Sequence, residues 1–164
     1  MALALPMAVP PVRAQEDSPQ ALPPAGSVFN VAAVQSLLAR GDAAAAAGNL
    51  AEARRLYDQA RDASRRLLGF YRDLRGAFRG LDARIPREMD EQGRLTLDKL
   101  TQANLRLAAL FRRQNQPEVA VPLLVEVVKT MTPASESGRK AYQQLLEIGF
   151  VSTPYTYPGS TGSN

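Results

Sequence analysis

AGNLAEARRLYDQA, residues 47–60, decides the fold of this chain. A Gly-Asn turn leads into an amphipathic helix, and Ala53 occupies the position where that helix would lie closest to its neighbour. A looser copy, RRQNQPEVAVPLLVEVV at residues 112–128, repeats the turn and the helix with Ala120 in the equivalent place. Small residues at such positions let two helices touch along their backbones. Two copies of one turn-and-helix unit predict helical hairpins stacked against each other. Such a scaffold buries its apolar faces internally and offers extended surfaces to other molecules.

Outward from the first copy, the apolar positions keep helical spacing. Upstream, Val31, Val34, Leu37 and Leu38 form one stripe, continued through Gly41 and Asp42 into an alanine run. Downstream, Leu56, Ala60, Ala63, Leu67, Phe70, Leu74, Phe78 and Leu81 are three or four residues apart. Unbroken from residue 51 to 80, this second helix would be about 45 Å long. Gly69 and Gly76, seven residues apart on its outward side, permit either a bend or the close approach of a partner. Residues 81–87 read as a turn, with Pro86 opening a third helix that runs to about Arg113. That helix carries Leu97, Leu100, Leu107, Ala108 and Phe111 on one face and Leu95, Leu105 and Leu110 on others, so two-sided packing is expected. A fourth helix is expected from Pro117 to about Lys129 and a fifth from Ser137 to Ile148, closed by Gly149. No strand pattern is present. The fold class is all-α: antiparallel helical hairpins, about five helices, one or two of them unusually long.

The two hairpins resemble the tetratricopeptide repeat family. Leu37, Gly41, Ala44, Ala53, Tyr57 and Ala60 stand at the signature positions of the first copy, with Ala44 where an aromatic is usual. Ala108, Phe111, Ala120, Leu124 and Val127 stand in the second, whose Pro122 departs from the common pattern. Ala53 and Ala120 are separated by close to two periods of about 34 residues. No middle repeat is visible, because residues 67–98 do not fit the pattern and the first hairpin's second helix looks extended instead. The resemblance implies a non-enzymatic protein-binding scaffold. A general antiparallel helical bundle remains the alternative.

Composition removes several kinds of chemistry. The 164 residues suit one domain, and the chain has no Cys, His or Trp. Disulfides, thiol nucleophiles, a Ser-His-Asp triad and His- or Cys-ligated zinc are therefore excluded. No cofactor or metal is expected. Glu88, Asp90 and Glu91 suit the start of a helix, where the dipole favours carboxylates, better than an acid-base pair.

Residues 1–14 (MALALPMAVPPVRA) read as a signal peptide whose charged start would lie upstream, with Val12 and Ala14 at the small-residue cleavage positions. Export to a periplasm or thylakoid lumen is the expectation, and a Pro-rich tail on a cytoplasmic protein the alternative. Residues 15–26 read as a Pro-rich linker, 27–150 as the helical domain, and 151–164 as a flexible tail, with docking of Tyr155 and Tyr157 on a partner or back on the domain as the alternative.

Arginine supplies 17 of the 20 basic residues behind a net charge of +4. Residues 61–87 hold eight arginines against Asp62, Asp73 and Asp82. At about 100° per residue, Arg54, Arg61, Arg65, Arg72, Arg75 and Arg79 share an arc of roughly 80° away from the apolar stripe, bordered by Tyr57, Leu68 and Tyr71. Such a stripe holds carboxylates through paired hydrogen bonds; a solvated helix face has the same composition. Arg61, Arg65, Tyr71, Arg72, Arg75 and Arg79 are the candidate partner-binding residues. The expected partner is another protein, through an acidic or extended segment lying between the hairpins and the long middle helix. A structural subunit of a larger complex is the alternative. Nucleic acid is disfavoured by the scarcity of Lys, and contact with an anionic membrane surface by an apolar face expected to be committed to the core.

Overall fold

The computed structural model describes residues 29–156. The expected leader and linker, and Tyr157 with the end of the tail, lie outside the described residues. Five helices follow one another: α1 (Val31–Ala46), α2 (Leu50–Ala77), α3 (Arg84–Arg113), α4 (Pro117–Met131) and α5 (Glu136–Ile148). No strand occurs among the described residues.

Local chemistry sets the helix ends. The side chains of Asn30, Asn49 and Ser135 accept hydrogen bonds from the backbone N–H groups of Ala33, Glu52 and Gly138, capping α1, α2 and α5. Gly48 and Gly149 take the left-handed conformation, with φ near 80°, that ends α1's turn and stops α5. Helix α3 starts at Arg84, three residues before Arg87, and Pro86 occupies its first turn, where a missing N–H costs nothing. Helix α4 runs two residues beyond Lys129, through Pro122, whose side is exposed. Gly69 and Gly76 leave α2 unbroken over 28 residues.

Consecutive helices pack antiparallel. Asp42 near the end of α1 meets Tyr57 near the start of α2, Arg75 of α2 meets Asp90 of α3, and Asn104 of α3 meets Glu126 of α4. One continuous core joins the five helices, with Val34, Leu38, Leu107, Leu124 and Val127 fully enclosed. Alanines mark the crossings: Ala53, Ala60, Ala103, Ala108, Ala120 and Ala141 are all inaccessible to solvent. Gly41 has the same role. A Cβ placed there would overlap the Tyr57 ring, which is held by its hydrogen bond to Asp42.

The packing corrects one expectation and adds a contact at the C-terminal side. The apolar stripe of α2 is buried only as far as Leu67; Phe70 and Leu74 are 48% and 46% exposed, and Leu81 is 79% exposed. The reason is length. Helix α1, about 24 Å long, begins where Phe29 stacks on Phe70, whereas α2 and α3 extend several turns beyond that point. At the other terminus, the first residues of the expected flexible tail lie on α5. There the Tyr142 hydroxyl donates to the Thr153 carbonyl, and the Tyr142 and Tyr155 rings meet edge to face.

One substitution at two glycines is expected to act in opposite directions. Gly41→Ala must displace the Tyr57 ring and should cost about 1–3 kcal/mol. Gly69→Ala points into open space and should stabilise α2 by about 0.5–1 kcal/mol. Urea denaturation of the two variants beside the parent protein measures both.

Candidate functional site

The arginine arc of α2 divides into two parts, depending on whether α4 lies opposite. Along the near half, Arg61 donates from Nε to Asn104 Oδ1 at 2.8 Å and from its terminal nitrogen to Glu126 Oε2 at 3.0 Å. Arg65 donates to Glu126 Oε1 at 2.8 Å, and Asn104 Nδ2 donates to Glu126 Oε2 at 3.1 Å. These four side chains tie α2 to α4 across α3. Burial pushes the Glu126 carboxyl up, but the hydrogen bonds from Arg65 and Arg61 outweigh it and hold the group below its ordinary value. Arg54 pairs with Asp58 and lies 5.0 Å over the Phe111 ring. Arg61 and Arg65 thus hold the helices together rather than facing outward as the helix wheel suggests.

Two turns beyond Arg65, α4 has ended and the arc borders a groove. Tyr71, Arg72 and Arg75 of α2, with Leu68, face Met89, Asp90, Gly93, Arg94 and Leu97 of α3 around a volume of about 260 Å³. Arg72 is 78% exposed beside Asp73, and Arg75 pairs with Asp90 at 3.1 Å. Arg94 forms no ion pair among the described residues. Three guanidiniums therefore meet one carboxylate in the groove wall. Burial, aided by the nearby Glu88 charge, raises the Tyr71 phenol pKa and keeps that ring neutral, available as an apolar side and a hydroxyl donor. Arg79 lies past the end of α2 at Ala77 and does not line the groove.

The groove lies between the far halves of α2 and α3, rather than between the two hairpins. Its α3 wall was not evident from the sequence. Arg94 and Met89 sit in IPREMDEQGR, an alternation of charges whose orientation is set only by the pairing of α2 with α3.

This arrangement suits recognition of anions. Exposed ion pairs contribute about 0–1 kcal/mol, so Arg75 can exchange Asp90 for an incoming carboxylate at little cost. Leu68, Met89 and Leu97 offer apolar contact beside the charges. Among the described residues no group of three or more carboxylates is placed to hold a metal ion.

A second polar cluster locks α1 onto α2 and α3. Arg106 donates twice to Asp42, at 2.7 and 3.0 Å, and the Tyr57 hydroxyl donates to the same carboxylate at 2.7 Å. The Arg106 hydrogen bonds, opposed by burial and helped by Tyr57, hold Asp42 below its ordinary value. Burial and the Asp42 contact push the Tyr57 phenol up to about 12.

No protein-family model, no curated protein and no solved structure matches this chain.

Glu126 and Asp42 both have folded pKa values below their ordinary ones, so each stabilises the fold when ionised and ceases to do so as acid protonates it. Stability should begin to fall near the ordinary values, 4.5 for Glu126 and 3.8 for Asp42, and continue falling below them. Glu126→Gln should lower stability at neutral pH by about 1–2 kcal/mol and flatten this acid limb. Urea midpoints of parent and variant compared at about pH 7 and about pH 3 test both effects.

Proposed function

We propose that the protein is a non-enzymatic interaction module, built from tetratricopeptide-like hairpins, that binds an acidic or extended segment of another protein in the α2–α3 groove. The observation that carries this reading is the contrast along one helix line. Arg61 and Arg65 share Glu126 of α4, while Arg72 meets only its neighbour Asp73, Arg75 pairs with the exposed Asp90, and Arg94 opposite forms no ion pair among the described residues. A carboxylate-bearing chain laid in the groove would replace Asp90 on Arg75, bridge to Arg72 and Arg94, and rest apolar groups on Tyr71 and Met89.

The tetratricopeptide reading has the support of the inaccessible Ala53 and Ala120 and of the Gly41–Tyr57 contact at the first crossing. Two hairpins with elongated inner helices take the place of a three-repeat array. In this reading the protein acts as a scaffold or assembly factor in an exported compartment, and its specificity comes from spacing the partner's carboxylates to match the arginines.

The test is a pull-down from native extract using the tagged protein, its Arg72→Glu/Arg75→Glu/Arg94→Glu variant and an Arg79→Glu control. A partner retained by the control and lost by at least tenfold from the triple variant, with helicity unchanged, is the expected result. Equal retention by all three would move the interface off the groove.

A further inference from the structure

One side of the α2–α3 hairpin already receives a helix. Helix α4 packs on α3 and reaches α2 through Glu126, which accepts hydrogen bonds from Arg61, Arg65 and Asn104. The lines that build this seat do not stop where α4 stops. On α2, Arg61, Arg65, Leu68, Arg72 and Arg75 follow one another in alternating steps of four and three. On α3, Asn104, Leu97, Gly93 and Asp90 share one line, in steps of seven, four and three. Arg61 bonds to Asn104 and Arg75 meets Asp90, fourteen residues further along both helices, so the register between them is unbroken. Leu68 is therefore level with Leu97, and Arg72 with Gly93.

Helix α4 ends at Met131, five residues past Glu126, which at about 1.5 Å per residue is near the level of Leu68. Thr132, with φ at 61°, ends the helix and the chain turns back into α5. The groove is thus the continuation of a helix seat beyond the helix that fills its first half. Its chemistry repeats that of the filled half. There α4 buries Ala120, Leu123, Leu124 and Val127 and sets Glu126 beside them on arginines. In the groove, Leu68, Leu97 and Met89 offer apolar contact, and Arg72, Arg75 and Arg94 stand where carboxylates can be received. Gly93 keeps the floor low, since a Cβ built on it meets nothing within 4 Å.

We propose, resting on the groove reading above, that the partner segment binds as an acidic amphipathic helix laid along this seat past the end of α4. One carboxylate takes Arg72 and Arg75 as Glu126 takes Arg61 and Arg65. Apolar side chains cover Leu68 and Leu97, and a small residue crosses Gly93. Backbone chemistry favours this form. An extended peptide draws affinity from backbone pairing along a sheet edge, and the interiors of two helices have no free backbone groups to give it. A helix satisfies its backbone internally and presents side chains alone, as α4 does.

Fluorescence anisotropy with the full chain tests the conformation. The probe is a fluorescein-labelled, side-chain-stapled peptide of about 15 residues, with Leu and Ala on one face and Glu beside them, the staple holding a length that is otherwise marginal as a helix. Its comparison is the unstapled peptide with central D-residues, equal in charge but unable to form the right-handed helix. The expected result is binding of the helical probe at least tenfold tighter than of the comparison. Arg72→Glu/Arg75→Glu/Arg94→Glu and Gly93→Leu should each weaken it at least tenfold with helicity of the protein unchanged. Equal binding of the two peptides, lost in the triple variant, overturns the helix and leaves the acidic-segment reading standing. Binding of neither, or binding indifferent to the triple variant, overturns that reading and the inference with it. A Gly93→Leu protein that binds like the parent overturns the seat. A chain that sediments at twice 17.8 kDa, and as a monomer in the triple variant, overturns the proposal in favour of a second copy.

Discussion

Helices α2 and α3 hold each other over 28 and 30 residues, while the remaining helices are 13 to 16 residues long. Every other part of the molecule depends on that mismatch. Near the base, α1 covers one side of the pair and α4 the other, and α5 closes over α4. There Leu38 of α1, Leu56 of α2, Leu107 of α3 and Leu124 of α4 are fully buried, each contributing about 1.5–3 kcal/mol. Toward the tip the two helices have only each other. The polar Ser64 and Thr96 are accommodated between them by bonding back to the carbonyls of Ala60 and Gln92. The overhang is thus anchored by a conventional core at one end and presents two uncovered faces at the other.

The same residue type takes different roles along α2 for a simple electrostatic reason. A guanidinium facing α4 is partly withdrawn from water and must be paired, and Glu126 with Asn104 satisfies it. A guanidinium two turns further has α3 but no α4 beside it; it stays exposed and pairs with Asp73 on its own helix or with Asp90 of α3. Counting arginines over residues 61–87 combines these two populations. Their separation explains how one positively charged helix both ties the bundle together and leaves arginines exposed beside a groove.

Lock and overhang are connected through α1. Asp42, Tyr57 and Arg106 fix the end of α1 against α2 and α3, and the Phe29–Phe70 stack marks where its cover ceases. The apolar face begins at that boundary. On the α4 side, Glu126 performs the corresponding task, and the basic groove begins past it. The far half of the hairpin thus has two faces of different chemistry, one apolar on the α1 side and one basic on the α4 side.

Periodicity alone determined much of this protein. The five helices, the Gly48 and Gly149 stops, the inaccessible Ala53 and Ala120, and the Gly41–Tyr57 crossing follow from spacing and side-chain size, which act locally. The same reasoning misplaced the burial of Phe70 and Leu74, because a stripe records which side of a helix is apolar but not how far a neighbour extends along it. It grouped Arg61 and Arg65 with Arg72 and Arg75, because a helix wheel collapses the axis along which they differ. It missed Arg94, whose proximity to Arg72 and Arg75 comes from the register of α3 against α2. Local chemistry writes the helices and their faces; only tertiary packing decides where cover ends, since that depends on the relative lengths of segments far apart in the chain.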